Sequence, residues 1–434
     1  MAEFTIHTSL LFDPKKKAFV TNISLTVNPS TGLITRLTTR PTAALPTPLP
    51  PNDIDLTGKV VLPGFVDAHT HIFLHSYSER PSLEQKRDAS AAERVIRATN
   101  HLRAALLAGY TTYRDLGSES MGDADANVRD AVARGLTPGP RLFVATRVLA
   151  SSGAYEPRTE NGPASCGGSG GCGLPAGSDV VDGVEEARKA VRRRIAAGAD
   201  VIKFYADYRR RVMRFPPKQL HPYEGSVLFP PDTPNPDVMV FAQEEMDMIV
   251  REATLAKCPV AAHCGTVEAG MAAVAAGVKT IEHSYFASDE LFRGMAAKSI
   301  VFVPTLAVCE RLHAARFPQI LAQTKRAYDL GVRLAAGGDT GTFPHGENAR
   351  EVELLIEAGV SVEDALEACT VGGWEACGGD WCGYRFGWFD EGLRADVVAL
   401  DADPRQDKQA LRKVSFVMKD ARVWKRDGVA VGMV

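Results

Sequence analysis

The chain has 434 residues, 45% of them apolar and 24% charged, a balance that fits a folded globular protein with a sizeable core and excludes a disordered one. Fifty basic against 53 acidic residues leave a net charge of −3, so no global field draws in nucleic acid or an anionic membrane, and a small-molecule partner is the default. The opening stretch 1–7 lacks the basic segment and apolar core of a secretion signal, and no apolar run is long enough to cross a bilayer, so a cytoplasmic location is expected.

Residues 5–35 alternate apolar and polar positions (Ile6; Ile23, Leu25, Val27; Leu33, Ile34) and predict short antiparallel strands ahead of a Pro-rich linker over 41–51. The far end has the same texture: 396–400, 414–418 and 423–424 read as strands with no helix between them. Residues 1–59 and 385–434 are therefore expected to form one small β-sandwich domain, with a barrel over 60–384 inserted between them. From 60 to 375 short apolar strands alternate with amphipathic stretches, the signature of parallel βαβ units. Strands are predicted at 60–69, 111–116, 141–148, 200–205, 259–263, 279–283, 300–306 and 332–339. Helices are predicted at 91–108, 183–198, 241–256, 266–276, 288–298 and 318–331. Eight such units close an α/β fold of the (β/α)8 TIM-barrel type, whose active sites collect at the C-terminal ends of the strands.

The polar candidates fall at those ends: His69 and His71 on the first strand, Lys203 on the fourth, His263 on the fifth, His283 on the sixth and Asp339 on the eighth. Residues i and i+2 of a strand face the same way, so His69 and His71 can hold one metal ion between them. Each candidate alone reads as readily as a hydrogen-bonded core residue or a turn, but six at one rim argue for a site. Four imidazoles and a carboxylate suit zinc or a similar divalent ion, with more ligands than one tetrahedral site needs, so two ions are expected. Two ions need a bridging anion, and Lys203 supplies one if carbon dioxide converts its amine to a carbamate. The bridging water would be acidified, and Asp339 would pass its proton to a leaving nitrogen, which is amide hydrolysis.

Read together, Val61–His71, Gly109–Gly117 (Gly-Tyr-Thr-Thr-Tyr-Arg-Asp-Leu-Gly), Gly198–Ala206, Ala262-His263, Ile281-Glu282-His283 and Gly338-Asp339-Thr340-Gly341 resemble the metal-dependent amidohydrolase superfamily. The nearest branch is the imidazolonepropionase-like and Xaa-Pro dipeptidase-like one, which takes in the fungal amidase that hydrolyses ochratoxin. The resemblance implies that His69, His71 and Asp339 bind one metal, His263 and His283 the other, and that carboxylated Lys203 bridges them. It also implies that Tyr205 hydrogen-bonds a substrate carbonyl or carboxylate. The expected reaction is hydrolysis of a dipeptide or N-acyl amino acid, ochratoxin-like amides included. The alternatives are a cyclic amide hydrolase, or a lyase or isomerase on the same fold; a non-catalytic scaffold fits poorly with six filled ligand positions.

Substrate contacts are less legible. The Pro-rich segment 206–240 reads as a long lid without regular structure, in which one of Arg209, Arg210, Arg211 or Arg214 would clamp a carboxylate, the alternative being that the run is a solvated basic face. His345, soon after Asp339, is a candidate for the pocket wall or for fixing a loop. The Gly-rich insertion 161–177 carries Cys166 and Cys172, which are expected as free thiols although they are near enough in sequence to pair or to bind a metal. A homo-oligomer is expected.

Overall fold

The structure, a computed structural model, describes residues 2–152, 154–155, 177–209, 219–220, 228–229 and 237–433. Strands from both ends of the chain share one nine-stranded sheet, in the order Val429–Ala430, Arg422–Arg426, Val414–Lys419, Val397–Leu400, Ile54–Pro63, Phe4–Asp13, Ile23–Asn28, Leu33–Thr39, with Ala18–Thr21 beside Phe4–Asp13. The alternation read from the sequence is what makes this possible. Ile6, Leu25, Val27, Val397, Ala399 and Phe416 turn to one side and pack with Trp374, Phe386 and Trp388.

The run predicted as a single strand over 60–69 is two. Ile54–Pro63 belongs to the terminal sheet, where Leu62 sits opposite Val398. Phe65–Thr70 starts the parallel part of the molecule. Both halves are apolar, so hydrophobicity hides the joint, which is Gly64. A Cβ there would lie 2.1 Å from Thr111 Oγ1, so only glycine lets the chain pass from one sheet to the other at this spot.

Phe65–Thr70 pairs in parallel with Tyr110–Asp115, and that strand with Arg141–Val144. A second parallel sheet runs Ser178–Val180, Val148–Ala150, Ile202–Tyr205, Val260–Cys264, Thr280–His283, Val301–Val303, Arg333–Leu334. Asp200 N donates to Val144 O at 2.8 Å and Ala68 N to Ala336 O at 2.9 Å, so backbone bonds link the two sheets at both flanks. Every residue of Phe65–Thr70 and of Tyr110–Asp115 is buried, as parallel strands covered by helices require. The covering helices include Ala91–Leu107, Val184–Ala196, Gln243–Leu255, Val267–Ala276, Asp289–Ala297 and Phe317–Asp329, which bury apolar stripes such as Leu102, Ala105 and Leu106.

The segment 206–240 is not structureless. Asp207–Arg209 pairs antiparallel with Asp237–Met239, and Gln219–Leu220 with Leu228–Phe229. Arg210, Arg211, Arg214, Cys166 and Cys172 lie outside the described residues. Among the described residues six cysteines are free, Cys264 among them. No helix among the described residues is long and apolar enough to cross a membrane.

Candidate metal centre

The predicted ligands stand on the parallel strands or in the segments that follow them. His69 is the penultimate residue of Phe65–Thr70, and His71 follows the strand with its N–H donated to Thr340 O at 2.7 Å. Asp339 follows Arg333–Leu334, in the loop those bonds tie to the histidines. Lys203 lies in Ile202–Tyr205; register then places Tyr205 beside His263, and Cys264 beside His283. Asp339 and His283 have φ of +61° and +70°, left-handed values that non-glycine residues hold at a cost of about 1–3 kcal/mol where function demands it.

Among the described residues, His69, His71 and Asp339 form a group whose ligand atoms all lie within 4.8 Å of one another. Asp339 Oδ1 is 3.2 Å from His71 Nε2 and 3.7 Å from His69 Nε2. The imidazoles continue as a chain of rings: His71 to His69 at 5.4 Å, His69 to His283 at 5.0 Å, His283 to His263 at 4.6 Å. The structure thus gathers all four histidines and Asp339, with Lys203 buried alongside them at 2% exposure.

The donor set fits divalent metal. His71 donates from Nδ1 to Gly117 O at 3.0 Å, and His283 Nδ1 meets the hydroxyls of Thr305 and Tyr285 at 2.9 and 3.1 Å. His69 Nδ1 lies 2.8 Å from Glu282 Oε2. With Nδ1 so engaged, the Nε2 atoms of His69 and of His71 are the ones that face Asp339, and Nε2 is the atom each ring can offer to a metal. Lys203 Nζ is buried with no hydrogen-bond partner, an expensive arrangement that a modified lysine would relieve.

Electrostatics point the same way. Burial holds His69 down at about 4 and drives His263 and His283 well below the usual imidazole range, which keeps them neutral and able to ligate. Burial also lowers Lys203 to about 8, against the pull of Glu282 and Asp339, so a neutral amine is within reach at physiological pH. Burial would lower His71 and raise Asp339. Asp339 and Glu119 reverse the first, with His71 at about 9, and His69 and His71 reverse the second, with Asp339 at about 2. A site that favours positive charge between these two residues is one where a dication can replace the shared proton.

Tyr205 packs 4.7 Å from His263, stacks on Tyr155 at 4.6 Å and meets Tyr208 edge-on at 5.1 Å. Arg209 is exposed, its guanidinium 5.9 Å from the centre of the Tyr208 ring. His345 stands apart from the cluster. Its ring stacks on His101 at 4.3 Å and its Nε2 meets Leu74 O at 3.2 Å, so it braces the turn after His71.

Three buried groups escape the sequence reading. Asp67 accepts from His69 N at 3.0 Å, Thr340 Oγ1 at 2.7 Å and Asn348 Nδ2 at 2.6 Å, tying the strand of His69 to the loop of Asp339. Its signal was available: Asp67, His69 and His71 share the i, i+2 spacing. Glu282 was hidden, because strand alternation turns it away from His283 until the left-handed backbone at His283 is known. Glu119 accepts from Tyr155 Oη at 2.7 Å and pairs with Lys86, 3.7 Å from His71 Nδ1.

The Amidohydrolase family model matches residues 60–429. Ochratoxinase from Aspergillus niger is 29% identical over 409 residues, which span 85% of this chain and 76% of the relative. Among solved structures, a Xaa-Pro dipeptidase with methionine bound in its active site aligns over 98% of this chain and 100% of its own, at 27% identity and a TM-score of 0.79. The A. niger ochratoxinase structure aligns over 99% of this chain and 97% of its own, at 25% identity and a TM-score of 0.80. Such neighbours make the parallel α/β architecture one of the TIM-barrel kind.

Proposed function

The chain belongs to the amidohydrolase family and is a hydrolase of amide bonds, and we propose that it cleaves a dipeptide or an N-acyl amino acid, ochratoxin-like amides among them. One observation carries the reading: His69, His71 and Asp339 converge within 4.8 Å while Lys203 Nζ lies buried and unpartnered beside them. In this reading His69, His71 and Asp339 hold one divalent ion, His263 and His283 a second, zinc being the preferred metal, and carboxylated Lys203 joins the two halves. When bound, the ions would polarise the scissile carbonyl and acidify a water.

The chain's own residues do the rest. Asp339, kept ionised by His69 and His71, takes a proton from the attacking water and delivers it to the leaving nitrogen. Tyr205 donates its hydroxyl to the substrate carbonyl or carboxylate, and Arg209 attracts a carboxylate at the rim. His345 acts only through the turn that it braces. The relatives support this substrate class, since one is named for ochratoxin and another holds a free amino acid in its active site. We read 60–384 as a closed (β/α)8 barrel, supported by the backbone bonds at both flanks, and 1–59 with 385–434 as a β-sandwich domain built on the shared sheet.

The test is a chelated preparation assayed on a panel of dipeptides, N-acyl amino acids and cyclic amides. Activity on the first two classes should vanish with chelation and return with zinc. Full turnover by protein that elemental analysis shows to be metal-free would overturn the reading, and turnover confined to cyclic amides would reassign the substrate.

A further inference from the structure

His69 and Glu282 are 1% and 0% exposed, so water competes for none of the bonds between them. Glu282 uses its two oxygens differently. Oε2 faces His69 Nδ1 at 2.8 Å, while Oε1 accepts from Arg114 Nη2 at 2.8 Å and from the hydroxyl of Thr280. Arg114 is itself fully buried and fixed, donating from Nε to Ala68 O at 2.6 Å and from Nη1 to Ala376 O and Thr280 Oγ1, both at 3.0 Å. Guanidinium can only donate, and Thr280, which accepts from Arg114, turns its one proton to Glu282. The Oε1 position therefore tolerates nothing but an acceptor.

We propose that Glu282, held in one polarity by Arg114 and Thr280, is a positioning residue that keeps the proton of His69 on Nδ1 and so presents the Nε2 lone pair to the metal. The proposal rests on the metal-dependent reading above. It makes a prediction that shape alone does not. Glu282→Gln has nearly the same volume, but its oxygen must stay on Arg114 and Thr280, which leaves the amide N–H pointing at His69 Nδ1. That nitrogen must then accept, and the ring proton moves to Nε2, the atom required for ligation.

Nitrogen-15 NMR of histidine-labelled, metal-free parent protein at neutral pH should show His69 protonated at Nδ1; protonation at Nε2 would overturn the proposal without any variant. In E282Q, shown to be folded by circular dichroism, the proton should sit on Nε2, and zinc affinity measured by competition with a chromogenic chelator should fall about ten- to a hundred-fold. A folded E282Q with Nδ1 protonation and parental zinc affinity would also overturn it. A parent that fails to bind zinc would instead remove the metal-dependent reading, and the NMR result would still stand on its own.

Discussion

In the proposed reading Asp339 combines ligation with proton transfer, and one substitution separates them. Asp339→Asn keeps the shape and an oxygen but no basic carboxylate, so turnover should fall by about 100-fold or more while bound metal stays near the parental level. Near-normal turnover would show that another group moves the proton. Lys203 is tested through the carbamate proposed for it. Lys203→Ala should hold less metal, a short carboxylate should restore part of its activity, and bicarbonate should speed reconstitution of the metal-free parent. A variant that refills to two ions at full rate would leave the bridge without support. The expectations for Lys203 come from a buried amine with no partner, a state the low dielectric of the interior makes unstable unless chemistry or charge changes it.

Two glycines show how the elements carry the site. At Gly64 an added Cβ meets the side chain of Thr111, whereas at Gly337 it would lie 2.6 Å from the backbone nitrogen of His69. Gly64→Ala should cost about 1–3 kcal/mol in urea unfolding, and Thr111→Ala should recover part of that, because most of the clash is with atoms that the second change removes. Gly337→Ala has no such relief. It pushes on the strand of His69, the proposed ligand, so metal affinity should drop together with stability. Unchanged affinity in a destabilised Gly337→Ala would mean that the ligand strand yields without moving His69.

The two sheets are joined by charge as well as by chain. Arg141, on the strand Arg141–Val144, donates to Asp396 Oδ2 at 2.9 Å and Asp420 Oδ1 at 2.6 Å in the terminal sheet region, and its guanidinium lies over Tyr384 and Phe386. Asp396 is 3% exposed, so Arg141→Met leaves a buried carboxylate unpaired and should cost about 3–5 kcal/mol in urea unfolding, with Asp396→Leu restoring part of it. Burial would raise the carboxyl of Asp420, but Arg141 outweighs it and holds the group below its ordinary value. A carboxylate depressed in the folded state contributes stability above its unfolded pKa and loses it as pH falls, so the parent should lose this contribution below about pH 4 and Arg141→Met should show a shallower acid slope there. Equal acid slopes would assign the sensitivity to other carboxylates.

Much of this was written locally. A strand's two-residue period puts His69 and His71 on one face, and alternating apolar strands and amphipathic helices give the order in which Lys203, His263, His283 and Asp339 reach the same end of the sheets. Those features depend on neighbours in sequence, which is why the sequence by itself determined the family, the fold class and the candidate ligands. Partner choice does not work that way. The joint at Gly64 exists because Leu62 finds Val398, the segment 206–240 gains strands because Asp207–Arg209 finds Asp237–Met239, and His345 meets Leu74 rather than joining the other histidines. Glu282 reaches His69 across 213 positions, and Arg114 reaches Ala376 across 262. Such bonds are decided only when buried donors and acceptors, cut off from water, must pair with whatever the packed chain brings within reach.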